Sequence, residues 1–342
     1  MQPIVAILGA SGAVGQEMLK VLEENQFPAS EVRLLASERS AGRKLPFRGR
    51  LLEVQAVTPE SFDGVHVALF SAGAGVSQKW APIAAGKGAV VVDNTSAFRM
   101  DADVPLVVPE CNLHTLSTLP ARRIIANPNC STIQMVQVLK PLHERLGIER
   151  LVIATYQSVS GKGAEAIEEL KAQSRAILDG RADFPMEEFP HQIAFNVLPH
   201  IDVFLEGGYT KEEMKMVQET RKILEAPSMR VTATCVRVPV LRGHSEAVNV
   251  EFAKAAPVAL VREMVATAPN VVVVDDVARN EYPLPIYCEG RNETYVGRLR
   301  QDISVPGDKA VDMWIVSDNL RKGAAWNAVQ IGRWLVEQRK VG

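Results

Sequence analysis

The chain has 342 residues, 47% of them hydrophobic, with 38 Lys and Arg against 40 Asp and Glu and a formal net charge of −2. That balance gives no reason to expect a nucleic acid or an anionic membrane as partner. Single cores rarely grow beyond ~250–300 residues, so a chain of this length predicts one large unit or two domains.

An apolar run, Ile4 to Leu8, starts almost at once without a basic leader, which argues against a signal peptide. No stretch reaches the ~18 apolar residues of a membrane span. The four cysteines, Cys111, Cys130, Cys235 and Cys288, lie far apart, with no CxxC and no paired His/Cys spacing. Neither a disulfide framework nor a metal site is expected, and a reduced cytoplasm is the natural setting.

The first third alternates short apolar runs with helical patterns. Ile4–Leu8, Val32–Ala36, Val65–Ser71 and Ala89–Asp93 read as buried strands, and Val14–Glu24 carries its apolar residues on one helical stripe. Strand, helix, strand at this spacing predicts a doubly wound parallel sheet. After Cys130 the texture changes. Leu151–Ser158, Val231–Val240, Ala247–Phe252 and Val271–Val274 read as longer strands of a mixed or antiparallel sheet, and Met313–Ser317 as a further strand. Helical patterns cover Gly163–Leu178 and Lys211–Leu224, while Arg181–Asp202, rich in Pro, Phe and His, reads as an irregular excursion. The last helix, Gly323–Gln338, is expected to return to the first domain, since chain termini often lie close together.

The turn Gly9-Ala10-Ser11-Gly12-Ala13-Val14-Gly15 falls between the first strand and the first helix. A strand end, a tight turn and a helix N-terminus form a phosphate cradle, in which glycines let the backbone approach a pyrophosphate. The spacing is GxxGxxG rather than GxGxxG. An NAD site usually carries an acidic residue ~20 residues beyond the glycines. Here the second strand runs into Ser37-Glu38-Arg39-Ser40. Arg39 between two hydroxyls suits a 2′-phosphate and favours NADP, since guanidinium pairs with phosphate in bidentate fashion. Glu38 stands near the place of an NAD-type carboxylate. The turn Ser71-Ala72-Gly73 ends a later strand at the same sheet edge and is expected beside the nicotinamide ribose.

The sharpest local signal is Asn127-Pro128-Asn129-Cys130-Ser131-Thr132, followed by an apolar-periodic run to Leu142. Pro128 keeps the preceding segment from being helical, and Ser131 or Thr132 is a candidate helix starter. Cys130 then sits at a helix N-terminus, where unpaired amides and the dipole stabilise a thiolate. The competing reading is a small residue at a capped turn. Of the six histidines, His66 lies in a strand pattern, His143 on a helix, His191 and His200 in the excursion and His114 near a loop. His244 sits at a polar break between two β segments, a position from which a histidine can serve a nucleophile as base and acid. Neither a GxSxG elbow nor an HExxH spacing occurs.

These motifs together resemble bacterial aspartate-semialdehyde dehydrogenases over essentially the full length. The resemblance rests on GASGAVG (Gly9–Gly15), LASERSAG (Leu35–Gly42), DNTSAFR (Asp93–Arg99), VVPECN (Val107–Asn112), NPNCST (Asn127–Thr132) and YQSVSGKG (Tyr156–Gly163). It continues through FNVLPHID (Phe195–Asp202), EEMK (Glu212–Lys215), RVPVLRGHSEAVN (Arg237–Asn249) and SDNLRKGAA (Ser317–Ala325). It implies a Rossmann-type doubly wound parallel sheet plus an α+β catalytic and dimerisation domain of the glyceraldehyde-phosphate-dehydrogenase-like C-terminal type. The implied boundaries are 1–128, joined by a C-terminal helix at 320–342, and 129–319.

By that resemblance Cys130 is the nucleophile, His244 its acid/base partner, Gln157 the group that orients the substrate, and Asn129 a helper at the oxyanion. Arg99 and Lys215 hold phosphate, Arg237 clamps the α-carboxylate and Glu212 faces the ammonium group. The implied cofactor contacts are Gly9, Ser11, Gly12, Ala13, Val14, Gly15, Ser37, Arg39, Ser40, Ser71, Ala72, Gly73, Ser160, Gly161 and Asn319. The implied reaction is the reversible NADPH-dependent reduction of L-4-aspartyl phosphate to L-aspartate 4-semialdehyde and phosphate. It serves lysine/diaminopimelate, threonine and methionine biosynthesis, by a homodimer or a dimer of dimers. Other acyl-phosphate reductases share the Cys–His plan, but NPNCST and GHSEAVN favour the aspartate enzyme. A catalytically retired NADP-binding relative should have lost Cys130 or His244, and both are present. From spacing alone, Glu212 and Lys215 are three apart and read as an ordinary surface ion pair.

Overall fold

The computed structural model describes residues 2–341, which divide into two units at Asn129/Cys130 and Lys322/Gly323. The first unit holds β1 (Ile4–Leu8), α1 (Ala13–Glu24), β2 (Glu31–Ala36), β3 (Lys44–Phe47), β4 (Arg50–Ala56), β5 (Val67–Phe70), α2 (Ala74–Gly86), β6 (Val90–Asp93), the short α3 (Pro109–Asn112) and β7 (Ile124–Ala126). Its seven-stranded sheet runs β3-β4-β2-β1-β5-β6-β7. All neighbours are parallel except β3 and β4. The central strands are buried on both faces, which is why they read as unbroken Val, Ile and Leu runs. β3, β4 and β7 were not apparent in the sequence pattern. Lys44–Phe47 and Arg50–Ala56 form an antiparallel pair at the sheet edge, where polar residues blur the apolar signal.

The second unit holds α4 (Cys130–Leu146), β8 (Ile148–Gln157), α5 (Ala164–Leu178), α6 (Lys211–Ile223), β9 (Arg230–Arg237), β10 (His244–Phe252), α7 (Val258–Ala266), β11 (Val271–Val273), the short α8 (Pro285–Cys288), β12 (Thr294–Gln301) and β13 (Ala310–Ser317). The sheet order is β11-β12-β13-β10-β8-β9. β8 pairs with β9 and β11 with β12 in parallel, while the β12–β13–β10–β8 pairs are antiparallel. The expected mixed sheet is therefore present. α4 starts at Cys130 itself rather than after a Ser131 or Thr132 cap. The chain then returns to the first unit as α9 (Trp326–Glu337), preceded by a π-helical turn over 321–325. Ala328, Val329, Ile331 and Leu335 of α9 join the core formed by Val5, Ile7, Met18 and Leu22.

The excursion 181–202 carries no helix or strand among its described residues. It is nevertheless ordered by packing. Phe189, Ile193, Ala194 and Leu198 bury against Ala166 and Leu170 of α5. Buried backbone amides need partners, and α5 supplies them. Glu169 Oε2 accepts from the amides of Glu187 and Glu188 at 2.8 and 2.7 Å, and Gln173 Oε1 from those of Ile193 and Ala194 at 2.9 and 3.1 Å.

Candidate active site

One edge of the second sheet collects the polar residues. β8 and β9 run parallel and in register, so Gln157 and Arg237 finish side by side. β10 runs antiparallel to both β8 and β13, so it begins where they end, with His244 opposite Ser317. His244 is thus the first residue of β10. Gln134, one turn into α4, accepts from Ser317 Oγ at 2.6 Å and donates from Nε2 to His244 O at 3.4 Å. This pins the first turn of α4, and so Cys130, to the same edge.

His244 is wholly buried. Its Nδ1 accepts from the Ser158 amide at 3.1 Å and lies 3.1 Å from Ser158 Oγ. Its Nε2 has no hydrogen-bond partner among the described residues. Asn319 Oδ1 gathers Ser158 Oγ at 3.2 Å, Ser160 Oγ at 3.1 Å and the Gly243 amide at 2.9 Å. Burial, reinforced by the Arg237 charge and opposed by Glu212, drives the imidazole pKa down to about 3, so it is neutral near pH 7. Arg237 is 6% exposed and donates from Nη1 to Ser158 O at 2.7 Å. Burial lowers its pKa, with Glu212 first and then Cys130 and Cys235 pulling it back up. Cys130 is therefore within electrostatic reach of the guanidinium.

The cysteines separate by environment. Cys130 is half-buried, whereas Cys111, Cys235 and Cys288 are buried. Burial, then the nearby Glu212, pushes the Cys235 thiol far above the usual range, and burial lifts Cys288 to about 12. Those two thiols are poor nucleophiles, since only the thiolate attacks.

Glu212 and Lys215 are not the surface pair their spacing suggested. Glu212 is 5% exposed. Its Oε1 accepts from Gln157 Nε2 at 3.2 Å and its Oε2 from Lys215 Nζ at 2.9 Å, while Lys215 also reaches Asp202 Oδ2 at 2.8 Å. Burial pulls the Lys215 pKa down, but the two carboxylates outweigh it and the net shift is upward. The Thr210 capping box holds this end of α6, with Glu213 accepting from the Thr210 amide at 2.7 Å.

In the first unit, the glycine turn precedes α1, whose N-cap Gly12 makes no side-chain cap bond and whose first turn carries no acid. An anion is favoured there. A Cβ on Gly9 would stand 2.9 Å from Ala72 N, and one on Gly15 2.1 Å from Gly9 O, so both close approaches require glycine. Ser71 Oγ is shielded beside Gly9 and has no hydrogen-bond partner among the described residues, an orphan hydroxyl that a cofactor's polar atom would satisfy. Ser37, Glu38 and Arg39 are exposed at the end of β2, with Ser40 half-buried. These features fit a dinucleotide. Arg99 is buried and donates to Asn127 O and Asn94 O, each at 2.9 Å, while Asn127 bonds the side chains of Asn94 and Asn327. Asn129, also buried, ends this unit.

Of the residues singled out from sequence, Cys130, Gln157, Ser160, Gly161, Glu212, Lys215, Arg237, His244 and Asn319 belong to the second unit; Gly9–Gly15, Ser37, Arg39, Ser40, Ser71–Gly73, Arg99 and Asn129 belong to the first. Sequence reading passed over Ser158, Gln134, Asp202 and Glu246. Ser158 lies inside YQSVSGKG, directly after a strand, and that placement was the available signal. Glu246, two residues past His244, is wholly buried beside Gln134, with no well-formed hydrogen bond to either carboxyl oxygen among the described residues. Among the described residues no His, Cys, Asp and Glu cluster could hold a metal ion, and no helix is long and apolar enough to cross a membrane.

Comparison with known proteins gives a consistent result. The semialdehyde dehydrogenase NAD binding domain matches residues 4–119, and the semialdehyde dehydrogenase dimerisation domain matches residues 139–322. The aspartate-semialdehyde dehydrogenase of Aquifex aeolicus is 54% identical, with 98% of each chain covered. That of Bacillus subtilis is 50% identical over 97% of this chain and 96% of its own. The crystal structure of aspartate semialdehyde dehydrogenase II from Vibrio cholerae complexed with ASA superposes with a TM-score of 0.95 at 49% identity, covering 98% of this chain and 99% of that one. The Candida albicans enzyme, solved with NADP, gives 0.75 at 28% identity, covering 97% and 98%.

Proposed function

The chain belongs to the aspartate-semialdehyde dehydrogenase family, and we propose that it performs the family's reaction through a thioester on Cys130 with NADP as cofactor. The reaction is the reversible reduction of L-4-aspartyl phosphate to L-aspartate 4-semialdehyde and phosphate, a step in lysine/diaminopimelate, threonine and methionine biosynthesis. The observation that carries the thioester route is Cys130 as the first residue of the 17-residue α4, half-exposed and electrostatically coupled to buried Arg237. The helix N-terminus and the guanidinium both favour a thiolate there.

In the biosynthetic direction Cys130 Sγ attacks the acyl phosphate and phosphate leaves, giving the thioester and splitting one hard step into two. Bound NADP supplies the chemistry of hydride transfer, as donor in reduction and acceptor in oxidation. Ser11 to Val14 would hold its pyrophosphate, with Gly9 and Gly15 shaping the turn. Ser37, Arg39 and Ser40 would hold the 2′-phosphate, and Ser71–Gly73, Ser160, Gly161 and Asn319 the nicotinamide end. Exposed Arg39, and NADP in the Candida albicans relative, support NADP over NAD. Arg237 would clamp the substrate α-carboxylate and Glu212 its ammonium, with Gln157 orienting the reacting carbonyl beside the thiol. Arg99 and Lys215 would take the phosphate, and Asn129 would assist at the oxyanion. The dimerisation-domain match supports a homodimer or a dimer of dimers, and reduced thiols suit the cytoplasm.

The test is NADPH formation from aspartate semialdehyde by purified protein, with and without phosphate, and with NAD in place of NADP. Phosphate-dependent turnover preferring NADP is expected, and Cys130→Ser should abolish it while NADPH still binds. An active serine variant would remove the covalent route.

A further inference from the structure

Lys215, assigned above to phosphate, does not meet an anion unencumbered. Its Nζ sits between two carboxylates, 2.9 Å from Glu212 Oε2 and 2.8 Å from Asp202 Oδ2. An ammonium has three donors, so these bonds leave at most one for an oxyanion. One cation also faces two anions there. Glu212 has a place in the proposed scheme, opposite the substrate ammonium, and the Arg237 charge answers it. Asp202 has neither. It is nonetheless firmly placed. Its backbone is left-handed, with φ 68°, a region that Asp and Asn enter more readily than other non-glycine residues. Asp202 Oδ1 accepts from the Val203 amide at 2.9 Å. The loop behind it closes onto the start of α6, where Phe204 bridges Thr210 and the Lys211 amide donates to Val203 O at 2.8 Å. Oδ2 is thereby left to Lys215. Burial pushes the Asp202 carboxyl up, but Lys215 and the Val203 amide outweigh it and hold it below its usual range, so it is a carboxylate near pH 7.

We propose that Asp202 sets the affinity of the phosphate subsite by opposing it: its carboxylate holds Lys215 and repels the phosphate that Lys215 receives, so that phosphate binds weakly and leaves readily. This rests on the phosphate role of Lys215 in the reading above and deepens it. In the biosynthetic direction phosphate is a product, and a site that gripped it would be blocked to the next acyl phosphate. In the oxidising direction the same repulsion raises KM for phosphate. Its size follows from Coulomb's law. Two unit charges ~6 Å apart change affinity about threefold at the dielectric of water and about a hundredfold at that typical of a protein surface. The Asp202 side chain is 30% exposed, so solvent screens it and the low end applies, about three- to tenfold.

Asp202→Asn removes the charge, keeps an acceptor oxygen and suits the left-handed backbone, while Asp202→Gly removes the whole carboxylate without torsional cost. Steady-state oxidation of aspartate semialdehyde with phosphate varied should show KM for phosphate lowered about three- to tenfold in both variants. KM for the aldehyde and for NADP should not move. Product inhibition by phosphate in the reductive direction should strengthen by the same factor. Asp183→Asn, an exposed acid elsewhere in the excursion, should change neither constant. A carboxylate that only positions Lys215 would weaken phosphate binding on removal, so an unchanged or raised KM for phosphate in Asp202→Asn overturns the proposal. If Asp202→Asn does not fold, Asp202→Gly decides by the same criterion. The affinity is also measurable without turnover, as protection by phosphate of half-buried Cys130 against iodoacetamide. Protection should set in at lower phosphate in the variants than in wild type, and its absence from all of them overturns the proposal too. Protection without any turnover of aspartate semialdehyde would sink the reading beneath the proposal while leaving the affinity comparison standing.

Discussion

Gly161→Ala tests how closely Arg237 and His244 are packed about Gly161. Gly161 sits in a 3-10 turn at 159–162, and its backbone is not in the left-handed region, so alanine meets no torsional penalty there. Its Cβ would stand 3.0 Å from Arg237 Nη1 and 3.2 Å from both Nε2 and Cε1 of His244. One of the two must move by a few tenths of an ångström. Arg237 is tied to Ser158 O at 2.7 Å, and His244 to the Ser158 amide at 3.1 Å, so both are anchored to the residue three before the mutation. Overpacking costs ~1–3 kcal/mol, and the stiffer unfolded chain returns ~0.4–1 kcal/mol. The net loss of stability is about 1 kcal/mol. A misplacement on the order of 1 Å costs ~10²-fold in rate, so a shift of this size should cost about tenfold in kcat. The assay is steady-state kinetics for both substrates beside a thermal melt. Gly86→Ala, in α2 with nothing within 4 Å of its Cβ, is the control and should hold or gain stability. Wild-type kcat and KM in Gly161→Ala would refute the packing argument.

Two buried titratable groups give opposite pH signatures. His244, depressed to about 3 from an ordinary 6.5, is neutral when folded and takes a proton when unfolded between those values. Its contribution is complete above pH 6.5 and is lost as pH falls toward 3, by about 1.4 kcal/mol per pH step. His244→Asn should flatten the acid side of the stability curve, and parallel acid limbs in urea titrations would contradict the burial argument. Glu246 is raised well above 4.5 by burial, with the Gln134 amide opposing. The folded state keeps its proton where the unfolded state loses it, so wild type should weaken as pH rises above 4.5. Glu246→Gln should remove that slope and match or exceed wild-type stability near pH 8 by thermal melting; a variant that is less stable there than at pH 5, relative to wild type, would show that Glu246 folds as a charged group.

The first unit was legible because its signals are local. A buried parallel strand, a glycine turn and an amphipathic helix each announce themselves within about a dozen residues, and β1, α1, β2, β5 and β6 fall within two or three residues of the sequence reading. β3 and β4 did not, because an edge pair exposes alternate residues and Arg50–Ala56 mixes Leu51 and Leu52 with Glu53 and Gln55. Cys130 was legible for the same local reason, since a proline, an asparagine and an apolar-periodic run mark a helix start. α4 nonetheless begins one or two residues earlier than a start at Ser131 or Thr132 would place it.

What the pattern could not carry was the company each residue keeps. Glu212 and Lys215 at a spacing of three are compatible with any helix surface. Glu212 is buried and Lys215 half-buried because Asp202, brought in from the excursion, and Gln157, at the end of β8, close over them. Ser158 looked like a residue between two recognised ones. It matters because β10 runs antiparallel to β8 and delivers His244 Nδ1 to its amide. A main-chain donor has no side-chain identity for sequence to record, so substitutions that keep the amide can change residue 158 without changing the bond. The Ser158–His244 bond is thus set by strand register, and a one-residue slip of β10 against β8 would turn the whole strand over and carry His244 to the other face of the sheet. Mutations that loosen the β8–β10 ladder far from Cys130, such as at Ile153 or Val248, which pair directly, should therefore lower kcat before they lower binding.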